Sequence, residues 1–127
     1  MPTVLIVDDE QHIRLLIEQT LEELEDEGVE LLTAGDGEAA LATLRAQHPD
    51  LVFLDGMMPR MNGFDVCRAV KDDDSLKQTY VILLTAKGQA YDREQGLQAG
   101  ADWYMTKPFD PDDLLRRARS ALGLGDD

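Results

Sequence analysis

Leu51-Val52-Phe53-Leu54-Asp55 decides the fold. Four consecutive apolar residues are too few for a free-standing helix, and they show no polar alternation. They read as a strand buried on both faces, as in a parallel sheet covered by helices. The same pattern appears as Val4-Leu5-Ile6-Val7 before Asp8-Asp9, and as Val81-Ile82-Leu83-Leu84 before Thr85-Ala86. Two more mixed runs, Val29 to Ala34 and Asp102-Trp103-Tyr104-Met105, read as edge strands.

Helical patterns fill the gaps. Ile13, Leu16, Ile17, Leu21 and Leu24 recur at spacings of three and four and predict one apolar helical face. Ala40, Leu41 and Leu44 repeat the pattern behind a candidate cap, Asp36. Phe64 to Val70 suits a short helix with Val66, Ala69 and Val70 inward. Residues 88–99 are weakly helical, with Gly88 and Gly96 among few apolar anchors. Asp110-Pro111-Asp112-Asp113 opens a last helix with a cap, a proline at its first position and acids in its first turn. Its apolar side is Leu114, Leu115, Ala118 and Leu122. Five strand–helix units with right-handed crossovers give an α/β, doubly wound (βα)5 flavodoxin-like three-layer sandwich with strand order 2-1-3-4-5. One domain is expected over residues 1–122, followed by a short polar tail at 123–127.

Charge narrows the function. The 127 residues carry a net charge of −14. Residues 1–55 hold 14 acids and two bases, Arg14 and Arg45; residues 56–127 hold 12 acids and ten bases. Such a surface is a poor footprint for phosphate backbones, which argues against direct nucleic-acid binding. The single cysteine, Cys67, excludes an internal disulfide, and with His12 and His48 it makes a poor zinc set. Cys67 reads as a packing residue and the two histidines as solvated. No apolar run approaches the roughly 20 residues of a membrane span. No signal peptide is legible, so a cytoplasmic location is expected.

Ligands of open α/β sheets bind outside the carboxyl ends of the strands, where the strand order reverses. That point lies between the first and third strands, so Asp8, Asp9 and Asp55 should converge there. Crowded carboxylates raise one another's pKa unless a cation intervenes, and a hard, oxygen-preferring ion such as Mg²⁺ suits them. A lone Asp after a strand is more often a turn former or cap; three on one rim point to a metal. Thr85 and Lys107 end the fourth and fifth strands on the same rim. A hydroxyl and an ammonium beside a metal-bound carboxylate suit phosphoryl chemistry, in which a carboxylate can itself be the nucleophile.

Across residues 3–122 the chain resembles the CheY-like receiver domains of bacterial two-component response regulators. The matching segments are Val4 to Glu10, Asp55-Gly56-Met57-Met58-Pro59-Arg60-Met61-Asn62-Gly63, Leu84-Thr85-Ala86 and Gly100 to Phe109. All four in this order are highly specific. The resemblance implies that a histidine kinase, or a histidine phosphotransfer protein, donates a phosphoryl group to Asp55. Asp8, Asp9, Asp55 and the backbone carbonyl of Met57 would hold Mg²⁺, and Lys107 would pair with a phosphoryl oxygen. It implies a cis peptide between Lys107 and Pro108, a bond type in which cis is accessible. It also implies a switch. Thr85 swings toward the phosphoryl group and Tyr104 turns inward. This biases the face built from the helical segment between the fourth and fifth strands, the fifth strand and the last helix, where a downstream protein would bind. Such domains are phosphoacceptors rather than enzymes acting on a separate substrate, and occur as monomers or phosphorylation-dependent dimers.

Some residues depart from the pattern or stay open. Trp103 stands where many output-face dimers carry a second acid, so it is either an exposed anchor for a partner or packing against the last helix. Met57 and Lys87 lie two residues after Asp55 and Thr85. Neither is suited to activate water, which implies a long-lived phosphoryl state. The acids Glu22, Glu23, Glu25, Asp26 and Glu27 read as a solvated helix end that can also help to dock a kinase. The rival of another class is a pseudo-receiver, a binding module without phosphorylation, against which the full set Asp8, Asp9, Asp55, Thr85 and Lys107 argues. A haloacid-dehalogenase-type phosphatase expects an acid at Met57. A flavodoxin-like carrier needs a hydroxyl- and glycine-rich loop where Asp8-Asp9-Glu10 would repel phosphate. A P-loop nucleotidase lacks its glycine–lysine signature here.

Overall fold

Side chains of a strand point to opposite faces in turn, so a strand covered on both sides must be apolar throughout. The computed structural model, which describes residues 2–86, Glu94 and 98–125, shows this along β3 (Leu51–Asp55). Leu51 and Phe53 enter one core while Val52 and Leu54 enter the other. β1 (Thr3–Val7) and β4 (Tyr80–Ala86) repeat the alternation. With β2 (Glu30–Ala34) and β5 (Trp103–Lys107) they form one parallel sheet in the order β2-β1-β3-β4-β5. This is the expected order, with the two mixed strands at the edges.

One face of the sheet is covered by α1 (Gln11–Thr20), α2 (Glu22–Glu25) and α5 (Pro111–Leu122). There Ile17, Leu21, Leu24 and Leu114 bury themselves against Val4, Ile6, Phe53 and Ile82. The other face is covered by α3 (Gly37–Gln47) and α4 (Gly63–Asp72), through Ala40, Leu44, Val66 and Val70. Each fully buried leucine, isoleucine or valine contributes roughly 1.5–3 kcal/mol. The expected caps are formed. Asp36 accepts a hydrogen bond from Ala39 N at 2.8 Å and Asp110 one from Asp112 N at 2.9 Å, with Pro111 opening the helix. Asn62, not foreseen as a cap, accepts from Asp65 N at 2.9 Å.

Three expectations need revision. The first helix is not continuous to Leu24: α1 ends at Thr20, Leu21 turns with φ −95° and ψ 5°, and the single-turn α2 follows. Leu16 is 41% exposed, because the buried stripe runs through Ile17, Leu21 and Leu24 and leaves Leu16 on its flank. The acids after Leu21 are not all solvated. Arg119 of α5, itself buried, reaches back to Glu23 at 3.0 Å and to both oxygens of Glu27, tying the two segments together. Most of residues 88–99, with Gly88, Gly96 and Lys87, lies outside the described residues.

On the far side of the sheet, Lys71 is a staple. Its ammonium donates to the carbonyls of Thr79 and Lys77 and pairs with Asp102 at 2.7 Å; Asp102 also accepts from Val81 N. The end of α4 is thereby fixed to the starts of β4 and β5. Its other end is fixed by close approach. Gly63 N donates to Gly56 O at 3.1 Å, and a Cβ on Gly63 would run into the Asp55 carbonyl and lie 2.9 Å from Gly56 Cα. Gly63→Ala should therefore destabilise the domain by about 1–3 kcal/mol through overpacking, read as a lower urea midpoint at unchanged slope.

Candidate functional site

The register of β1 on β3 pairs Val7 with Leu54, so the next residues, Asp8 and Asp55, emerge side by side at the carboxyl rim. Both are buried, Asp8 completely. β4 pairs with β5 so that Ala86 lies opposite Lys107, which brings the lysine to the same rim. Its Nζ lies 2.7 Å from Asp8 Oδ2 and 3.3 Å from Asp55 Oδ1. The Lys107–Pro108 peptide is cis, as the resemblance implies.

The two oxygens of Asp55 differ. Oδ1 accepts from Met57 N at 3.1 Å and pairs with Lys107. Oδ2 accepts no hydrogen bond among the described residues, and no described side-chain oxygen is both sealed from solvent and unpartnered. It is thus the open oxygen of the pair. Burial, then the charge of Asp8, pushes the Asp55 carboxyl up to about 7, against the lowering effect of Met57 N–H and Lys107. Burial opposes the charge of Lys107, but its bond to Asp8 and the charges of Asp55 and Asp8 hold its pKa above the ordinary lysine value.

Asp8, Asp9 and Glu10 can each present one carboxylate oxygen within 4.8 Å of the others. Glu10 was not among the expected ligands, although three consecutive acids after a strand were the available signal. Glu10 N also donates to Asp8 Oδ1 at 2.9 Å, which folds the turn back on the site. Asp55, expected to converge with Asp8 and Asp9, lies outside this close set and is tied to Asp8 through the shared Lys107 ammonium. The donors are all carboxylate oxygens around two desolvated acids, which suits a hard divalent cation. Met57 lies at the mouth and is 62% exposed.

Thr85 is buried, and its hydroxyl is 3.5 Å from the Met105 carbonyl, on the β5 side. Tyr104 is half-buried and packs against the core beneath α3 and α4. Trp103 packs against the last helix and remains partly exposed. Arg117 of α5 stacks 3.7 Å above its ring, yet 46% of the residue stays exposed, bordering a recess of about 410 Å³. Cys67 is a buried packing residue whose thiol is pushed up to about 11 by burial, and His12 and His48 are exposed.

A family model described as the response regulator receiver domain matches residues 4–119. A probable transcriptional regulator, ycf27, of Cyanophora paradoxa is 44% identical over 119 residues, covering 94% of this chain and 47% of the relative. The alkaline phosphatase synthesis transcriptional regulatory protein PhoP of Bacillus subtilis is 39% identical over 119 residues, covering 94% and 48%. The chain spans about half the length of these curated relatives. Among solved structures, chemotaxis protein CheY4 of Vibrio cholerae superimposes with TM-score 0.83 at 35% identity, covering 95% of this chain and 98% of that one. A response regulator of Chloroflexus aurantiacus, described as putative, superimposes with TM-score 0.88 at 32% identity, covering 97% and 99%.

The raised Asp55 pKa has a consequence for stability. A carboxyl whose pKa is higher in the folded state takes up a proton on folding between its unfolded value, about 3.9, and its folded value, about 7. Stability then falls as pH rises through that window. Urea unfolding in chelator at pH 5 and pH 8 should show a larger loss for the wild type than for Asp55→Asn. Equal losses in the two proteins would contradict a raised Asp55 pKa.

Proposed function

The chain belongs to the response regulator receiver domain family, and from that premise we propose that Asp55 is its phosphoacceptor. The observation that carries the reading is the rim geometry: a buried carboxylate with one open oxygen, held by a lysine that also binds a second buried carboxylate. Asp55 Oδ2 attacks the phosphorus of a donor phosphohistidine. An O–P bond forms, the P–N bond breaks, and the imidazole leaves with the bonding electron pair. Lys107 can pair with a phosphoryl oxygen without leaving the rim. Thr85 supplies a hydroxyl from the neighbouring strand once it turns away from Met105. Asp8, Asp9, Asp55 and the Met57 carbonyl are the residues we assign to Mg²⁺, with Glu10 beside them. The bound ion would offset repulsion between carboxylates and incoming phosphoryl oxygens.

In this reading residues 1–122 form the signalling domain and 123–127 its tail, and the domain works in the cytoplasm. A sensor histidine kinase or a histidine phosphotransfer protein is the donor. The downstream protein reads the face that includes β5 and α5, where Trp103, Arg117 and the adjoining recess lie. The domain accepts a phosphoryl group and promotes its loss, and is not an enzyme acting on a separate substrate. Its own acidic surface argues against contact with nucleic acid. The exposed, apolar Met57 offers water no base, which supports a long-lived acyl phosphate.

Incubation with acetyl phosphate and Mg²⁺, followed by intact mass, should yield a single phosphoryl adduct on the wild type and none on Asp55→Asn. Lys107→Ala should retain the acceptor but lower the adduct yield. Absence of a Mg²⁺-dependent adduct, with a cognate kinase also tested, would favour the pseudo-receiver instead.

A further inference from the structure

Arg14 is one of two bases among the first 55 residues, and the other, Arg45, is exposed on α3. Arg14 sits on the first turn of α1, half-buried beside the three-acid turn Asp8-Asp9-Glu10. A cation placed there would be expected to pair with a carboxylate, yet among the described residues it forms no ion pair with one. Its Nη1 instead donates to the main-chain carbonyl of Asp8 at 2.6 Å. Its own backbone N–H donates to the carbonyl of Glu10 at 3.2 Å. The side chain therefore holds the start of the turn through its main chain and leaves the three carboxylates for other partners, while the backbone N–H closes the first helical turn on Glu10. The guanidinium also lies along the chain leaving β2, where a Cβ on Gly35 would be only 3.4 Å from Nη1.

We propose that Arg14 is a positioning residue for the divalent-cation site: by fixing the Asp8 main chain, its guanidinium holds the Asp8-Asp9-Glu10 turn with its carboxylates converged on the ion. The inference rests on the Mg²⁺ reading above. It opposes the simplest electrostatic expectation. A positive charge near a cation site disfavours the cation, so removal of a bystander arginine would tighten Mg²⁺ binding. Removal of a positioning arginine weakens it, despite the negative potential gained. The sign of the change separates the two roles.

The test is Mg²⁺ affinity by isothermal titration calorimetry on the whole domain, without any phosphodonor. Arg14→Met keeps the aliphatic stem and removes the donor; Arg14→Lys keeps the charge and one flexible donor. Arg14→Met should weaken Mg²⁺ binding by about tenfold, at the lower end of what loss of a ligand-orienting partner brings. Arg14→Lys should recover part of the loss. Metal-free melting temperatures of both variants should match that of the wild type, which separates positioning from general support of the fold. Equal or tighter binding by Arg14→Met would overturn the proposal, as would a loss of affinity that only follows a lower metal-free melting temperature. If Arg14→Met does not fold, Arg14→Lys decides alone: affinity equal to wild type would then reduce Arg14 to a local charge. Absence of any Mg²⁺ binding by the wild type would instead remove the metal reading itself.

Discussion

Two desolvated carboxylates on one rim need a cation between them, and Lys107 supplies it. Asp8 and Asp55 are buried because parallel pairing of β1 with β3 places them side by side above a sheet covered on both faces. Burial disfavours the charge of Asp55, and the neighbouring Asp8 disfavours it further. The ammonium of Lys107 reaches both, 99 residues along the chain from Asp8. The register of β4 on β5 is therefore part of the site as much as the acids are. The close approach of Gly63 to the Asp55 carbonyl serves the same end, since it brings the start of α4 against the backbone that carries Asp55.

The balance at this rim is deliberately incomplete in a physical sense. One lysine cannot neutralise Asp8, Asp55 and the adjoining Asp9 and Glu10. The remaining negative charge suits a divalent cation. Lys107 sits closer to Asp8 than to Asp55, and the open oxygen belongs to Asp55.

The central strands were legible because burial on both faces removes polar alternation: Val4–Val7, Leu51–Leu54 and Val81–Leu84 have no other simple reading. The rim residues followed, since a strand end at the reversal of strand order is a place fixed by topology. What the sequence concealed was of another kind. The stripe Ile17, Leu21, Leu24 keeps its spacing through the break at Leu21, so periodicity could not reveal that α1 and α2 are separate. Glu23 and Glu27 meet Arg119 from the far end of the chain, and a long-range pair leaves no local signal. Arg14, and Lys71 apart from its pair with Asp102, act through main-chain carbonyls, which any residue can offer, so the side-chain pattern does not announce those partners.

Nine of the 14 acids in the first 55 residues fall into three physical roles. Asp8, Asp9, Glu10 and Asp55 make the rim. Glu23 and Glu27 are structural, since they take the guanidinium of a buried arginine and bind α2 to α5. Glu22, Glu25 and Asp26 remain exposed at the same end. The pairing with Arg119 draws one cation of α5 inward, while Arg117 on the same helix turns to Trp103 on the sheet edge. The acidic end of the first helical pair and the face around Trp103 are therefore mechanically joined through a single helix. Any movement of α5 against the sheet must either carry α2 with it or break the Arg119 contacts.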